Sequence, residues 1–525
     1  SQLVRGHLLP TISTCRCYSI LRNRRTALRA WDDSHGKKTM NVCFVYSDIG
    51  GPEHYGARKY YHGLGYLSGV LKSAGHETGL IYLQREPERD DFLQQVGAIQ
   101  AGLVAFSSTT HQYPYVERCA SWIKESTPEL CTALGGTHPT LVPEDVLANP
   151  NFDVACVGEG EHPLLDLANA LQEGRDVVAI PNLWLRRGGR LIRNALRPLL
   201  ANLDELPFPD RELFDFDRML VDNDGWVDMM VGRGCPYQCS YCCNPALSQR
   251  FKGLGKYVRF RSVENVLAEI RFLAQRYDVK TLNFQDDVFT LDRDWTLRFC
   301  EAYSKEFDFP FWINTRVERI SDEQTVSALA RAGCCGVRIG IESGNEELRS
   351  SILKRHMSNN EIRQAFALAR EHGLRIYTCN MLGIPGETAS MIEETVTLNR
   401  ELGPADLQFS VFYPYPKTEL YDISVRNGYL IEGESLSSYY ERKSILRLPT
   451  LSAAELARGY DRFQQLKSEL HMKRANPAKY RVYRALRCVL GGNADRALAV
   501  LSWLGRIKGL VTGLWRTRSA QVKSQ

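Results

Sequence analysis

GRGCPYQCSYCCNP, residues 232–245, puts four cysteines into fourteen residues of a chain that otherwise spreads its 15 cysteines thinly. Cys235, Cys239 and Cys242 form a C-x3-C-x2-C run, with Cys243 directly behind it. Thiolates are soft ligands that suit zinc or an iron–sulfur cluster. Four protein ligands would close either kind of site. Only three are regularly spaced here, and no second CxxC or Cys/His pair follows to complete a structural zinc site. Three thiolates on a [4Fe-4S] cluster would leave one iron open to a substrate or cofactor. Cys243 is the extra thiol behind the run, read as a packing residue or local thiol. The vicinal Cys334-Cys335 reads as small-residue packing.

The loop follows an apolar stretch, WVDMMV at 226–231, that reads as a strand. A helix over 262–275 is expected next, with Ser262 as its cap and Glu264 in the first turn. Strands are predicted at 280–284, 310–314, 336–341, 375–381 and 407–412, with helical segments between. Six strands in this alternation predict a partial (β/α)6 barrel, with its reactive groups at the strand C-termini. Upstream, short apolar runs at 41–46, 79–83, 102–106, 131–134 and 153–157 alternate with helix-compatible segments such as 64–74. That pattern predicts a doubly wound, Rossmann-like parallel sheet. Such sheets bind ligands beyond the carboxyl ends of their strands. Those ends carry Ser107, Ser108 and Thr109, then Gly135, Gly136 and His138, then Gly158, Glu159 and Gly160. The fold class is α/β throughout, with a helical C-terminal region. The expected division is an N-terminal extension at 1–39, a Rossmann-like domain at 40–195, a Pro- and acid-rich linker at 196–225, a barrel at 226–450 and a basic helical region at 451–525.

The net charge of +5 hides an asymmetry. Residues 471–525 hold twelve Lys/Arg against Asp495, and residues 1–39 hold eight basic and two acidic residues. Charge concentrated at the ends reads as tails or docking surfaces. Met40 directly precedes the first strand, so 1–39 reads as an upstream or disordered extension, with an Arg-rich transit peptide as the alternative. Sparse cysteines without a disulfide framework point to a reducing, cytoplasmic compartment. No uninterrupted apolar stretch of about 18 residues suggests a membrane span.

The C-x3-C-x2-C run, with Tyr241 before its last cysteine and a first barrel strand ahead of it, resembles the radical S-adenosylmethionine (SAM) superfamily. The resemblance implies a [4Fe-4S] cluster on Cys235, Cys239 and Cys242 whose open iron chelates SAM. Reduction of the cluster then cleaves SAM to a 5′-deoxyadenosyl radical, which takes a hydrogen atom from substrate. It further implies SAM contacts from Tyr241 and from Gln285, Asp286 and Asp287 after the second strand. Arg316 after the third strand would face the SAM carboxylate. Glu342 and Ser343 after the fourth would meet the ribose, and Gly383 and Ile384 after the fifth the adenine. An external electron donor such as flavodoxin or ferredoxin is implied as well.

A Rossmann-like sheet ahead of such a barrel resembles the cobalamin (B12)-dependent radical SAM enzymes. Ser107, Ser108, Thr109, Gly135, Gly136, His138, Gly158, Glu159 and Gly160 stand where that family binds cobalamin. The D-x-H-x-x-G element is incomplete: His62-Gly63-Leu64-Gly65 gives H-x-x-G, but position 60 is Tyr. The expectation is base-off cobalamin without a protein histidine on cobalt, with His62 as the alternative ligand. The reaction implied first is methylation of an unactivated carbon of a small-molecule or lipid-linked substrate. Alternatives are a cobalamin-dependent cyclase, oxidase or ring-rearranging enzyme, such as anaerobic magnesium-protoporphyrin cyclase. A methylthiotransferase is another, and a zinc-stabilised nucleic-acid-binding module a further one. No nucleic-acid partner is expected. The basic region 471–525, with the apolar 497–515, points to peripheral membrane contact.

Overall fold

The computed structural model describes residues 39–49, 58–434, 441–490 and 500. The predicted alternation yields two sheets. The first runs β1 (Asn41–Ser47), β2 (Glu77–Leu83), β3 (Leu103–Ser107), β4 (Cys131–Gly135), β5 (Val154–Cys156), β6 (Leu183–Arg187) and β7 (Arg190–Arg193), in spatial order β2-β1-β3-β4-β5-β6-β7. β1 to β5 are parallel. Central β1 is a continuous apolar run, buried along nearly its whole length, as a strand covered on both faces requires. Helices α1 (His62–Ser73), α2 (Arg89–Ile99), α3 (Tyr113–Ser126) and α4 (Glu161–Gln172) supply that cover. Leu64 and Leu164 pack with Phe44 on one face; Phe92 and Val116 pack with Val45 on the other.

The antiparallel hairpin β6–β7 was not expected from the sequence. Its turn is Gly188-Gly189, both at positive φ, the conformation that a tight two-residue hairpin needs. Arg190 and Arg193 then lie on the edge strand β7, where charge discourages pairing with another chain.

The second sheet begins with β8 (Trp226–Met229). The short ribbon β9 (Gly232–Arg233) and β10 (Arg259–Phe260) follows. β11 (Thr281–Phe284), β12 (Phe311–Thr315), β13 (Cys334–Glu342), β14 (Arg375–Leu382) and β15 (Asp406–Val411) complete an all-parallel sheet ordered β15-β14-β13-β12-β11-β8. This is the predicted six-stranded partial barrel. Its crossover helices are α5 (Val263–Ala274), α6 (Arg293–Tyr303), α7 (Glu323–Arg331), α8 (Asn359–Glu371) and α9 (Ala389–Leu402). Each opens on a side-chain cap: Ser262, Asp292, Asp322, Ser358 and Thr388 in turn accept a backbone N–H of the first turn. Phe284, Phe289, Phe299 and Phe311 pack between strands and helices. Toward the lumen, Asn283 donates to Asp228 (2.6 Å) and accepts from Arg338 (2.6 Å).

Helix α10 (Glu419–Arg426) follows β15. Then α11 (Ala453–Ala475) packs on α9 and β15 through Leu456, Tyr460 and Phe463. Helix α12 (Pro477–Val489) docks on α11 through Tyr483, which donates to Glu469 (2.9 Å). The expected extension at 1–39, apart from residue 39, and the apolar segment 497–515, apart from residue 500, lie outside the described residues. Among the described residues no helix is long and apolar enough to cross a membrane.

Candidate active site

The three motif cysteines sit in the loop beyond β9, at the C-terminal mouth of the barrel. Backbone fixes the approach. Asp286, just past β11, is buried and accepts N–H groups from Val231 (3.0 Å) and Gly232 (2.7 Å). Burial pushes its carboxyl up to about 7. The SAM contact expected of Asp286 is thus not what its carboxylate is committed to; it braces the entry to the loop. Gly234 has φ +85°, and a Cβ there would lie 2.4 Å from the Tyr257 carbonyl oxygen, so glycine is required. Cys239 is buried, whereas Cys235 and Cys242 are half-buried. The Cys243 thiol donates to Cys242, and Asn244 adds its backbone N–H (3.4 Å) and side-chain amide (3.6 Å). The Cys243 bond leads in holding the Cys242 thiol down at about 7, against the upward push of burial. Cys243 keeps its proton and stands at the start of the short helix Asn244–Arg250, without a side-chain cap bond to it. Among the described residues no three His, Cys, Asp or Glu side chains converge on a point where one ion could sit. Three thiolates along one loop could hold a [4Fe-4S] cluster.

Around Cys239 the barrel gathers polar groups from distant strands. Arg316, beyond β12, approaches the Cys239 sulfur at 3.4 Å, pairs with Glu318 at 2.8 Å and stacks 3.7 Å over the Tyr237 ring. Arg355, which the sequence did not single out, lies 3.9 Å from the same sulfur and donates to Tyr241 Oη (3.3 Å). Tyr241 in turn donates to Glu342 (3.0 Å), 3.9 Å from Arg355. Glu342 sits at φ +66°, uncommon for a side-chain-bearing residue, where the β13–β14 register slips. Burial pushes its carboxyl up, against the pull of Arg355. Ser343 is fully buried and its hydroxyl accepts from Asn345 (3.2 Å). Past β14, the N–H groups of Gly383 (2.6 Å) and Ile384 (3.3 Å) both point at Glu387. Burial lifts the Glu387 carboxyl to about 8, and its second oxygen has no partner. Sequence reading passed over Glu387, which stands just past Gly383 and Ile384. Gln285 donates to Asp228 (3.1 Å) and Asp287 accepts from Asn244 (3.0 Å). Tyr241, Arg316 and Glu342 are therefore brought together at Cys239, while Gln285, Asp286 and Asp287 hold loop and backbone.

Where the strand ends of the first sheet face this loop, a cavity of about 460 Å³ opens. Its inner part runs between small sheet residues, Ala105 and Ala133, and the helix residues Leu64 and Leu164, which makes an apolar slot. Ser107, Gly135, Gly136, Gly158, Glu159 and Gly160 line it from the first domain; Arg233, Gly234, Tyr257 and Arg259 line it from the barrel. Gly136 and Gly158 both lie near φ +100°. A Cβ on Gly158 would meet the Phe251 ring at 2.9 Å. His62 also lines the cavity, with Nε2 buried and without a partner. Burial, then the Arg211 charge, hold its imidazole down at about 4, so it is neutral at pH 7. An apolar slot, a glycine rim and polar groups at the mouth suit a large flat cofactor bearing an apolar nucleotide base, as cobalamin does.

Three residues expected in this cradle stand outside the cavity lining: Ser108, Thr109 and His138. His138 stacks on Tyr113 (4.4 Å) beside Thr110 Oγ1 (3.2 Å), because the turn after Gly136 points its ring back toward α3. Glu159 reaches across to the barrel instead, accepting from Arg233 (2.8 Å) and Arg259 (2.8 and 3.1 Å). Burial opposes ionisation, but these guanidinium groups hold its carboxyl down at about 2. At the far edge of the barrel mouth the His111 ring packs 4.1 Å from Tyr413, just past β15. The first domain thus touches both sides of the mouth.

Two family models match the chain: the B12 binding domain over residues 58–168 and the Radical SAM superfamily over residues 229–398. The chain is 28% identical to an uncharacterized methyltransferase of Pyrococcus horikoshii, over 70% of this chain and 79% of that one. It is 26% identical to the anaerobic magnesium-protoporphyrin IX monomethyl ester cyclase of Rubrivivax gelatinosus, over 68% of this chain and 64% of that one. To the hopanoid C-3 methylase of Methylococcus capsulatus it is also 26% identical, over 68% and 67%. Among solved structures, the fold matches the radical S-adenosylmethionine methyltransferase TsrM from Kitasatospora setae at TM-score 0.63 and 18% identity, over 82% of this chain and 89% of that one. It matches the cobalamin-dependent radical enzyme OxsB at TM-score 0.62 and 15% identity, over 90% and 71%. A [4Fe-4S] cluster, SAM and cobalamin are the cofactors these two domains imply. With its B12-binding domain set against a radical SAM half-barrel, the chain belongs to the cobalamin-dependent radical SAM enzymes.

Proposed function

We propose that this enzyme methylates an unactivated carbon of a small-molecule or lipid-linked substrate. The observation that carries the reading is a shared wall: Arg233 and Gly234 line the cavity of the first domain and lead directly into Cys235. A substrate at the barrel mouth therefore faces both cofactor sites at once. When bound, the cluster and SAM supply radical hydrogen abstraction and cobalamin supplies methyl transfer; the hard chemistry is theirs. This chain's residues hold and orient. Cys235, Cys239 and Cys242 would hold the cluster. Arg316 and Arg355 would neutralise the SAM carboxylate, and Glu342 with Tyr241 would orient its ribose. The glycine rim and apolar slot would seat cobalamin, and the His111–Tyr413 contact borders the far side of the mouth.

An external flavodoxin or ferredoxin would deliver the electron. Peripheral contact with an anionic membrane is proposed for the C-terminal region, where α12 carries Lys479, Arg481, Arg484 and Arg487 without an acid and exposes Val482 and Val489. Liposome flotation unchanged by removing 471–525 would count against it.

Anaerobic reconstitution with iron, sulfide, SAM, hydroxocobalamin and a low-potential reductant tests the reaction. With the true substrate present, 5′-deoxyadenosine and S-adenosylhomocysteine are expected together. Deoxyadenosine without S-adenosylhomocysteine would exclude methylation and favour an oxidising or cyclising enzyme.

A further inference from the structure

A polar, partly buried cluster links the two domains. Glu159 stands between Gly158 and Gly160 on the cavity rim, in the loop after β5. Its carboxylate accepts from Arg233 Nη1 (2.8 Å), from both terminal nitrogens of Arg259 (2.8 and 3.1 Å) and from the Leu200 backbone N–H (3.1 Å). Glu161, the first residue of α4, takes the other nitrogen of Arg233 (2.5 Å). Arg233 is thus clamped by two carboxylates of the B12-binding domain, and it lies two residues before Cys235. Its backbone has little freedom of its own. Arg233 pairs with Arg259 in the β9–β10 ribbon, and the preceding Gly232 N–H is held by Asp286. Two carboxylates and two guanidinium groups also line the cavity, so a ligand seated there touches the strut itself.

We propose that Glu159, Glu161, Arg233 and Arg259 act as a positioning strut that couples the two cofactor sites, so that cobalamin in the cavity tightens SAM binding at the cluster. The inference rests on the cavity being the cobalamin site. The physical reason is that a cofactor pressing on the Gly158–Gly160 rim fixes Glu159 and Glu161. Those fix Arg233, and Arg233 fixes the first turn of the cluster loop. Bidentate guanidinium–carboxylate pairs transmit orientation as well as attraction. By linkage the effect is reciprocal: SAM must tighten cobalamin by the same factor.

The experiment titrates SAM into cluster-loaded, anaerobic full-length enzyme, with and without saturating hydroxocobalamin. The reduced-cluster electron paramagnetic resonance (EPR) signal gives a second readout of SAM ligation. Wild type is expected to show a SAM Kd about fivefold or more tighter with cobalamin present, within the usual range of coupling between two sites. In Glu159→Gln with Glu161→Gln the ratio should fall to about one, with four irons retained. Arg233→Lys keeps the charge but loses the fork; its ratio should fall in between, and it serves if the double variant does not fold. A merely structural strut would weaken both affinities and leave their ratio unchanged, which overturns the proposal. So does a wild-type SAM Kd indifferent to bound cobalamin. If hydroxocobalamin does not bind at all, the cobalamin assignment of the cavity fails first and takes the proposal with it.

Discussion

Glu387→Gln isolates a buried carboxyl just past β14. Glu387 is fully buried, its acceptors serve Gly383 and Ile384, and one oxygen has no partner. Burial lifts its carboxyl to about 8, from an ordinary 4.5. The sign follows from linkage. A carboxyl raised on folding contributes stability that is complete below about pH 4.5, declines through the window up to about 8 and is gone above it. Each pH unit inside that window is worth about 1.4 kcal/mol. Between pH 5.5 and 8 the wild-type barrel should therefore lose roughly 3 kcal/mol that the glutamine variant keeps. For a domain of this size that is on the order of 6–12 °C in Tm. The assay is thermal unfolding of cluster-loaded protein under nitrogen at half-unit pH steps, plotted as variant minus wild type. Histidines and Asp286 titrate in both proteins and cancel in the difference. Glutamine's carbonyl still accepts from Gly383, and its amide adds a fixed offset, equal at every pH. The difference should rise steadily in favour of the variant. A flat difference would mean that the two N–H groups keep Glu387 ionised throughout, and the reasoning from burial would be wrong.

Cys243→Ser should keep about four irons per chain, whereas Cys235→Ser, Cys239→Ser or Cys242→Ser should lose the cluster; iron and sulfide analysis decides it. Arg355→Met should raise the SAM Kd by about tenfold or more, since a buried charged contact is worth about 1.5–3 kcal/mol, while iron content stays at wild-type level. An unchanged Kd would remove Arg355 from the SAM site. Gly158→Ala, at φ +100° and 2.9 Å from the Phe251 ring, should weaken cobalamin retention on gel filtration while sparing the cluster. In the Co(II) EPR spectrum no nitrogen superhyperfine splitting is expected; splitting that disappears in His62→Ala would make His62 the axial ligand.

The parts of this enzyme visible in its sequence are those written locally. The C-x3-C-x2-C spacing, the period of the barrel strands and the polar cap at Ser262 each occupy a few consecutive residues. The contacts that organise the site do not. Glu159 meets Arg233 across 74 residues and Arg259 across 100, so its glycine neighbours suggested a cofactor contact and gave no sign of the ion pairs it also makes. Arg355 reaches Tyr241 across 114 residues from a stretch with no motif to mark it. Asp286 and Asp287 look interchangeable in sequence. One step along the chain buries the first under the cluster loop and leaves the second at its surface. The β6–β7 hairpin had a signal, GG between two arginine-flanked apolar runs, but the parallel pattern before it masked an antiparallel finish.

The half-barrel never closes: β8 and β15 end the sheet on opposite sides, unpaired with each other. A closed barrel would admit only what fits down its axis. A sheet open along one flank is a slot, and a slot can hold one carbon of a molecule while the rest of that molecule hangs outside. Substrate size is then set by the neighbouring surfaces, not by the strands that carry the chemistry. Selectivity in this chain would reside in what borders the slot: the His111–Tyr413 contact, the Tyr413–Tyr415 segment and the helices that follow.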